Sequence, residues 1–372
     1  MGGDLNAYTN KEGTVYYSAI LKEHIARAVD LLSDIVFHSV YPQAEIDKEV
    51  EVICDEIESY NDSPAELIYD EFENILFKGS SLGHNILGTA EQVRSFTTED
   101  ALRFTRKLYR PDNAIFFAYG DIDFKKLVKL VGRALADDDS GKLAEEDCHA
   151  DFSGGTGFAG DENSITTEKS VSSVKSVGPK NYPSVGEEIA GQTIVMQKNT
   201  HQAHVMIGTR AYDVNDDRRM PLYLLNNILG GPGMNAKLNL ALREHNGLVY
   251  TVESTMVAYG DTGTWSIYFG CDEHDIKRCL RLVRKELDRM MEKPLSDSQL
   301  KAAKKQIKGQ IGVACDNREN FALDFGKSFL HYGWEKNVDC LYEQAEAITS
   351  QQIQDVAREL FDKDRLITLI FK

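Results

Sequence analysis

Glu49 and Glu56 are two acidic residues whose types and spacing could do chemistry. They are seven residues apart in a helix predicted from about Gln43 to Ser59. Two helical turns therefore place both on one face, with Val52 and Ile53 between them. A face that mixes carboxylates with apolar residues is typical of a buried site, and carboxylates are zinc ligands. The same helix carries five further acids, so a solvated acidic face is the alternative interpretation.

Arg243 and Tyr250 form a second candidate pair, on either side of Asn246 and Gly247. Arg243 ends a predicted helix, and Tyr250 lies in the strand that follows it. Together they could offer a guanidinium and a phenol to one carbonyl oxygen or oxyanion. Separately, they are an ordinary surface ion-pair former and a half-buried core residue.

The remaining motifs are weaker indications of a functional site. His201 and His204 enter a predicted strand, where residues three apart point to opposite faces, so a metal pair is not favoured. The turn Gly230–Gly233 precedes a predicted helix, but no GKS or GKT motif follows. A turn or a peptide-contacting loop is therefore favoured over a phosphate site. The sequence contains no HxxEH motif.

An internal repeat indicates which elements position these residues. The segment from Thr97 to Ile115 matches the segment from Thr349 to Ile367 at an offset of 252, and the same offset pairs Pro42 with Pro294. The chain therefore consists of two related units. The second unit has a long segment, from about Gly191 to Asn246, before the shared part. The first unit has almost nothing there.

The same offset compares the two units at the acidic helix. It pairs Glu49 with Lys301 and Glu56 with Lys308, so the units have opposite charge at these positions. A shared fold does not require that difference. A metal site in the first unit only would produce it.

Each unit is predicted to be an α+β layer pair, a mainly antiparallel sheet with helices on one face. We assign residues 1–136 to the first unit, 137–188 to an acidic low-complexity linker or insertion, and 189–372 to the second unit. The predicted strands lie at Leu5–Ala7, Thr14–Ile20, Ala114–Ala118, Gln192–Gln197, Ala203–Gly208, Val249–Ser254, Thr264–Gly270 and Leu366–Phe371.

Charge and cysteine usage narrow the class of protein. The 372 residues carry a formal net charge of −17, which argues against nucleic-acid binding and against docking on anionic membranes. The six cysteines are scattered, without a CxxC pair. That pattern favours reduced thiols and a cytoplasmic location. No apolar run reaches transmembrane length.

Four segments resemble the M16 metallopeptidases, the pitrilysin, insulinase and mitochondrial-processing-peptidase group. They are Gly2–Glu12, the helix with Glu49 and Glu56, Leu108–Asn113, and Leu242–Tyr250. They occur in the family's order and cover nearly the whole chain except the linker. The resemblance implies two homologous LuxS/M16-like domains, of which the first is incomplete.

The resemblance also implies roles for single residues. In that family, zinc is held by two histidines of an HxxEH helix and by a downstream glutamate, and the glutamate within the motif is the general base. Glu56 matches the downstream zinc ligand, and Glu49 matches a supporting acid on the same helix. Asn6, Ala7 and Tyr8 match the edge strand on which a peptide substrate is laid. Arg243 and Tyr250 match the pair in the second domain that contacts substrate near the scissile bond.

The missing HxxEH motif is the main departure from the family pattern. At the family's usual spacing it would end about twenty residues before Met1. We therefore expect an N-terminally truncated zinc endopeptidase whose chain lacks two zinc ligands and the general base. Such a chain should neither hold zinc nor hydrolyse peptides alone.

Two alternatives remain at this stage. One is a non-catalytic partner subunit or peptide-binding module, in a homodimer or in a heterodimer with another M16-like chain. The other is an acidic scaffold of unrelated function, which the ordered set of motifs disfavours.

Overall fold

The first unit consists of a two-stranded hairpin and six α-helices among the residues described. The computed structural model describes residues 2–136, 190–198, 200–333 and 337–372, so the predicted linker at 137–188 lies outside them. Short 3-10 turns occur at Lys22–His24 and Pro111–Asn113. The elements are β1 (Asp4–Thr9), β2 (Thr14–Ala19), α1 (Ile25–Phe37), α2 (Gln43–Asn61), α3 (Pro64–Leu76), α4 (Ala90–Val93), α5 (Thr98–Leu108) and α6 (Phe124–Ala136).

The second unit builds a five-stranded sheet in the order β3-β7-β4-β6-β5. The β3–β7 pair is parallel and the other pairs are antiparallel. A π-helical segment, Asn239–Glu244, precedes β5. The elements are β3 (Thr193–Met196), β4 (Ala203–Ala211), α7 (Arg219–Gly230), β5 (Val249–Ala258), β6 (Gly263–Cys271), α8 (Ile276–Glu292), α9 (Asp297–Asp316), α10 (Arg318–Tyr332), α11 (Val338–Ala347), α12 (Ser350–Leu360) and β7 (Ile367–Phe371).

Local sequence explains several element ends. Pro64 occupies the first turn of α3, where its missing N–H costs nothing. Thr97 and Thr349 cap α5 and α12 through matching capping boxes. In the β1–β2 turn, the N–H groups of Glu12 and Gly13 donate to Asn10 Oδ1 at 2.9 and 2.8 Å. The sequence predictions of α2, of α5 and of the strands around Leu5–Ala7 and Thr14–Ile20 are confirmed.

The second-unit sheet has an apolar core on each face. One core is shared with α7, α8, α9 and α12 and includes Trp265 and Phe269, both fully buried. The other core forms where α3 of the first unit lies on the opposite face. Phe72 and Leu76 of α3 pack there with Met206, Leu369 and Phe371 of the sheet. The first unit therefore supplies part of the second unit's core.

An equivalent helix returns the contact in the other direction. Like α3, α10 follows the long helix of its unit, and its Phe325 ring stacks on Phe117 at 5.0 Å. Phe321 of α10 contacts Tyr119, with 5.6 Å between ring centroids. No residue of α10 is buried, whereas four residues of α3 are. Each unit thus packs one helix against the other unit in a pseudo-two-fold arrangement, but only the α3 contact is tightly packed.

The strand predicted at Ala114–Ala118 is wrong, because residues 114–119 have no regular secondary structure. Its counterpart in the repeat is β7, which lies between β3 and β4 and pairs with both. The described part of the first unit contains no counterpart of β3 or β4. A strand forms only where a neighbour accepts its hydrogen bonds. Without one, the segment packs the rings of Phe117 and Tyr119 against α10.

No helix in the described ranges is both long enough and apolar enough to cross a membrane.

Candidate functional site

The α2 face with Glu49 and Glu56 is exposed to solvent. The helix forms as predicted and places both carboxylates on one side, two turns apart. Val52 between them is 57% exposed, and Glu49 and Glu56 are exposed as well. On its other side α2 buries Cys54 and contacts α3 and α4. The mixture of acids and apolar residues therefore marks an uncovered face, not the buried site expected from sequence.

Helix starts show that the 252 offset does not hold across α2 and α3. Gln43 and Pro64 begin helices whose counterparts begin at Asp297 and Arg318, an offset of 254. The offset of 252 returns at α5 and α12. At 254, Ile53 and Ile57 match the buried Ile307 and Ile311.

The corrected offset changes the comparison of charges. Glu56 now pairs with Gln310, and Glu49 with Ala303, so the pairings with Lys308 and Lys301 are wrong. Gln310 accepts a hydrogen bond from Nδ2 of the buried Asn227 of α7 at 2.6 Å. In the second unit, a neutral amide pair therefore occupies the place that corresponds to Glu56. At this position the first unit therefore has a carboxylate and the second unit an amide. The helix that covers this face in the second unit, α7, has no described counterpart in the first unit.

The residues around Glu56 do not make up a zinc site. A protein zinc site takes at least three side-chain ligands, usually with histidine or cysteine among them. The described residues contain one group of three donors close enough to share a metal ion, Asp272, His274 and Asp275, and it lies on the second unit after β6. No described histidine or cysteine joins Glu49 or Glu56 in such a group.

The strand β1, with Asn6, Ala7 and Tyr8, is paired on one side only. Its partner is β2, with Ala7 opposite Tyr16, and the described hairpin has no third strand. Asn10 N–H donates to Gly13 O at 2.9 Å across the turn, so these two residues form a hydrogen-bonded pair. Hydrogen-bonded and non-hydrogen-bonded pairs alternate along an antiparallel ladder, which makes Ala7 and Tyr16 a non-hydrogen-bonded pair. The Ala7 N–H therefore points away from β2. That N–H donates instead to Asn6 Oδ1 at 2.8 Å. The predicted edge position of this strand is therefore present in the fold.

An open groove lies beside this strand. Tyr8 lines it together with Asn320, Leu323, Asp324 and Lys327 of α10, and its volume is about 410 Å³. The Tyr8 ring makes an edge contact with Tyr17 of β2, with 6.4 Å between centroids. Partial burial, followed by the nearby Asp324 carboxylate, raises the pKa of Tyr8. Tyr8 thus remains a neutral hydrogen-bond donor in a groove formed by both units.

Arg243 and Tyr250 lie close together, as the sequence predicted. The Arg243 guanidinium carbon lies 5.8 Å from the centroid of the Tyr250 ring, within cation–π range. Tyr250 sits at a β-bulge, between the paired residues Val249 and Val252, and is 83% exposed. A bulge bends the strand and re-aims a side chain. The pair therefore presents a phenol and a guanidinium outwards from β5, which has a strand partner on one side only among the described strands.

Two other sequence candidates have structural roles. His204 Nδ1 lies 2.9 Å from the Tyr268 hydroxyl, and burial lowers the pKa of His204, so the ring is held neutral inside the fold. His201 is exposed in the preceding turn. Gly230 ends α7 against β5, where an added Cβ would lie 2.5 Å from Ser254 N. The glycine-rich turn therefore permits a close helix–strand approach.

Sequence reasoning missed a set of hydrogen bonds to carboxylates between the units. Tyr69 of α3 donates to Glu253 of β5. The Tyr259 hydroxyl donates to Glu73 Oε1 at 2.8 Å. The Gly260 N–H donates to Glu12 Oε1 at 3.0 Å. These residues are separated by 184 or more positions, so no local pattern could have paired them.

Comparisons with known proteins agree with both units. A family model described as peptidase M16 inactive domain matches residues 95–307, and one described as insulinase (peptidase family M16) matches residues 1–90. An uncharacterized zinc protease of Bacillus subtilis, YmxG, is 28% identical over 373 residues, covering 100% of this chain and 81% of the relative. An uncharacterized zinc protease of Streptomyces coelicolor, SCO5738, is also 28% identical, covering 100% and 74%.

A solved structure shows the same fold. A protease from Helicobacter pylori superposes with a TM-score of 0.79 at 18% identity, covering 100% of this chain and 82% of that chain.

Proposed function

Because this chain belongs to the M16 family of peptidases, we propose that it binds an extended peptide along the open edge of β1. The observation that carries the proposal is the single-sided pairing of β1 beside a groove shared with α10. An extended peptide adds as a further strand to such an edge, because main-chain hydrogen bonds hold it whatever its side chains are. Asn6, Ala7 and Tyr8 are the residues that receive it.

The peptide replaces an internal hydrogen bond. In the free chain the Ala7 N–H is satisfied by Asn6 Oδ1. A carbonyl oxygen of the incoming peptide accepts this N–H instead. The released side-chain amide of Asn6 then hydrogen-bonds to the peptide. A satisfied edge also resists unwanted strand pairing, which is a hazard for exposed edge strands. Asn6 thus favours a peptide that offers several main-chain bonds over a single chance contact.

Arg243 and Tyr250 complete the proposed site from the second unit. Both side chains are exposed, and the Arg243 guanidinium also lies 3.9 Å from the Glu244 carboxylate. Donors of this kind bind peptide carbonyl oxygens. We assign them the contact to the bound peptide from the second unit, while β1 holds its main chain.

The proposal does not include hydrolysis by this chain alone. The sequence contains no HxxEH motif, and within the described ranges no histidine or cysteine joins Glu56 in a possible metal site. Glu49 and Glu56 would contribute to a metal site only with ligands from outside the described residues. A second candidate is a non-catalytic, peptide-binding partner of another M16-like chain, which the single-sided pairing of β1 would serve equally well.

Peptide binding can be tested with fluorescence anisotropy on a labelled pool of short unstructured peptides. The matched probe is the same pool with alternate backbone amides N-methylated, which removes donors but leaves the side chains. We expect the methylated pool to bind at least about tenfold more weakly, since each lost main-chain bond is worth roughly 1 kcal/mol. Mass spectrometry after incubation with zinc should find the peptides intact.

Two outcomes would contradict the proposal. Equal affinity for the two pools would exclude strand addition. Cleaved peptides that are absent from a Glu56→Gln sample would show a working metal site and would exclude the purely binding role.

A further inference from the structure

We propose that Glu12 is a positioning residue that fixes the β1–β2 hairpin to the second unit and so sets the width of the groove beside Tyr8. This inference rests on the proposed peptide site. It concerns a residue that the peptide does not touch, since Glu12 lies in the turn beyond the end of β1.

The Glu12 carboxylate contacts two separate segments of the second unit. Its Oε1 accepts the Gly260 N–H at 3.0 Å, in the turn between β5 and β6. Its Oε2 lies 3.5 Å from the hydroxyl of Tyr332, the last residue of α10. Burial, followed by the proximity of Glu12, raises the pKa of Tyr332, so this phenol remains a donor. One side chain therefore joins the hairpin to a turn and to a helix end.

The hairpin presents Glu12 in a fixed direction. Asn10 Oδ1 accepts the N–H groups of both Glu12 and Gly13, which closes the turn. On the opposite side, Gly260 approaches closely, and a Cβ added there would lie 3.5 Å from Glu12 Oε1 and 3.9 Å from the Tyr332 ring. A Cβ added at Gly13 would lie 3.4 Å from His331 Nε2. The hairpin tip and the end of α10 are thus in contact over several atoms.

The same two elements form the groove. Tyr8 stands four residues before Glu12 in the hairpin, and Asp324 and Lys327 stand one to two turns before Tyr332 in α10. Because a hairpin and a helix are both stiff, fixing them together at one end restricts their separation along the rest of the groove. No residue of α10 is fully buried, so apolar packing holds this helix less tightly than it holds α3. The polar contact at its end therefore carries more of the positioning.

The test compares Glu12→Ala with Glu12→Gln in the full chain, with Glu45→Ala as a control that removes a charge from α2. Backbone hydrogen exchange in residues 4–19 and 318–332 measures the fixation, and anisotropy with the unmethylated peptide pool measures the groove. We expect Glu12→Ala to speed exchange in both segments and to weaken peptide binding, each by about tenfold, as loss of a charge-assisted bond allows. Glu12→Gln keeps an oxygen acceptor for Gly260 and should restore both readouts to within about threefold of the parent.

Parent-like exchange in Glu12→Ala overturns the proposal, and so does faster exchange with unchanged peptide affinity. Faster exchange spread over the whole chain, with a lowered melting temperature, indicates a general structural role and also overturns it. If the parent binds no peptide, the proposed function fails. In that case, faster hydrogen exchange confined to residues 4–19 and 318–332 of Glu12→Ala still supports the role of Glu12 in fixing the hairpin. Unchanged exchange in these segments refutes that role.

Discussion

At Glu73, burial and hydrogen bonding act in opposite directions within the contact between the two units. Its carboxylate accepts a hydrogen bond from Tyr259 OH, but burial outweighs this bond and raises the pKa of Glu73 above its ordinary value of 4.5. A raised acid pKa means that the folded state holds the proton more tightly than the unfolded chain. The stabilising contribution is therefore present at low pH and is lost as the pH rises through the folded-state pKa.

Glu73→Gln tests this opposition of burial and hydrogen bonding, because glutamine cannot ionise but can still accept a hydrogen bond from the Tyr259 hydroxyl. We expect the variant to be more stable than the parent near neutral pH and to match it below pH ~4, where both side chains are neutral. Urea denaturation at the two pH values measures the difference. Glu66→Gln, on the exposed side of the same helix, is the control. A glutamine variant that is less stable than the parent at neutral pH would show that the hydrogen bond outweighs the burial.

Single positions also mark the limits of sequence comparison. The sequence suggested opposite charges at Glu56 and Lys308, because the 252 offset was carried through a region that differs by two residues in length. The structure pairs Glu56 with Gln310, the partner of Asn227. The carboxylate and its amide counterpart have almost the same shape, but Gln310 contacts α7 and Glu56 is exposed, so the two places differ in charge and in packing.

At the scale of elements, α3 and α10 occupy related places with unequal packing. Phe72 of α3 is 1% exposed in a core that both units build. Phe325 of α10 is half-buried and contacts Phe117, Phe321 and Phe329. The difference follows from the surfaces they meet. A five-stranded sheet offers α3 a continuous apolar face, whereas the hairpin and residues 114–119 offer α10 a smaller one.

Truncation to alanine should report that difference. Phe72→Ala is expected to cost about 3–5 kcal/mol of unfolding free energy, as for other fully buried aromatic residues, since it leaves a cavity. Phe325→Ala should cost about 1–2 kcal/mol, because water can enter the space it leaves. Denaturant titration followed by circular dichroism gives both values. Equal costs would mean that α10 is packed as tightly as α3.

The described parts of the two units share an apolar core and several polar contacts. The face of the second-unit sheet away from α7 and α8 is covered by α3, and the Arg210 guanidinium donates from β4 to the Leu76 carbonyl at 2.8 and 3.0 Å. Tyr69, Glu73 and Glu12 add further polar contacts. Removing the first unit therefore uncovers apolar surface and leaves buried polar groups without partners.

A fragment of residues 190–372 should show that dependence. We expect it to bind more of a hydrophobic dye such as ANS than the intact chain does, and to melt at a lower temperature, because Met206, Leu369 and Phe371 become exposed. Scanning calorimetry and dye fluorescence measure the two effects. A fragment with the same melting temperature and dye binding as the intact chain would show that the two units are stable separately.

The sequence by itself determined the family, the two-unit repeat, the α+β class and most element positions. These follow from local patterns: the period of apolar residues, the cap at Thr97, the proline that begins α3, and short motifs in order along the chain. It also brought Arg243 and Tyr250 together correctly, because the short turn between them leaves little freedom.

Only the tertiary structure decided which surfaces are covered. The α2 face with Glu49 and Glu56 is exposed, residues 114–119 form no strand, and α3 contributes to the core of the other unit. Each of these outcomes depends on a partner far away in sequence. A helix face or a strand carries no local sign of whether its neighbour is present, so burial, pairing and the Glu12 contact could be read only from the folded chain.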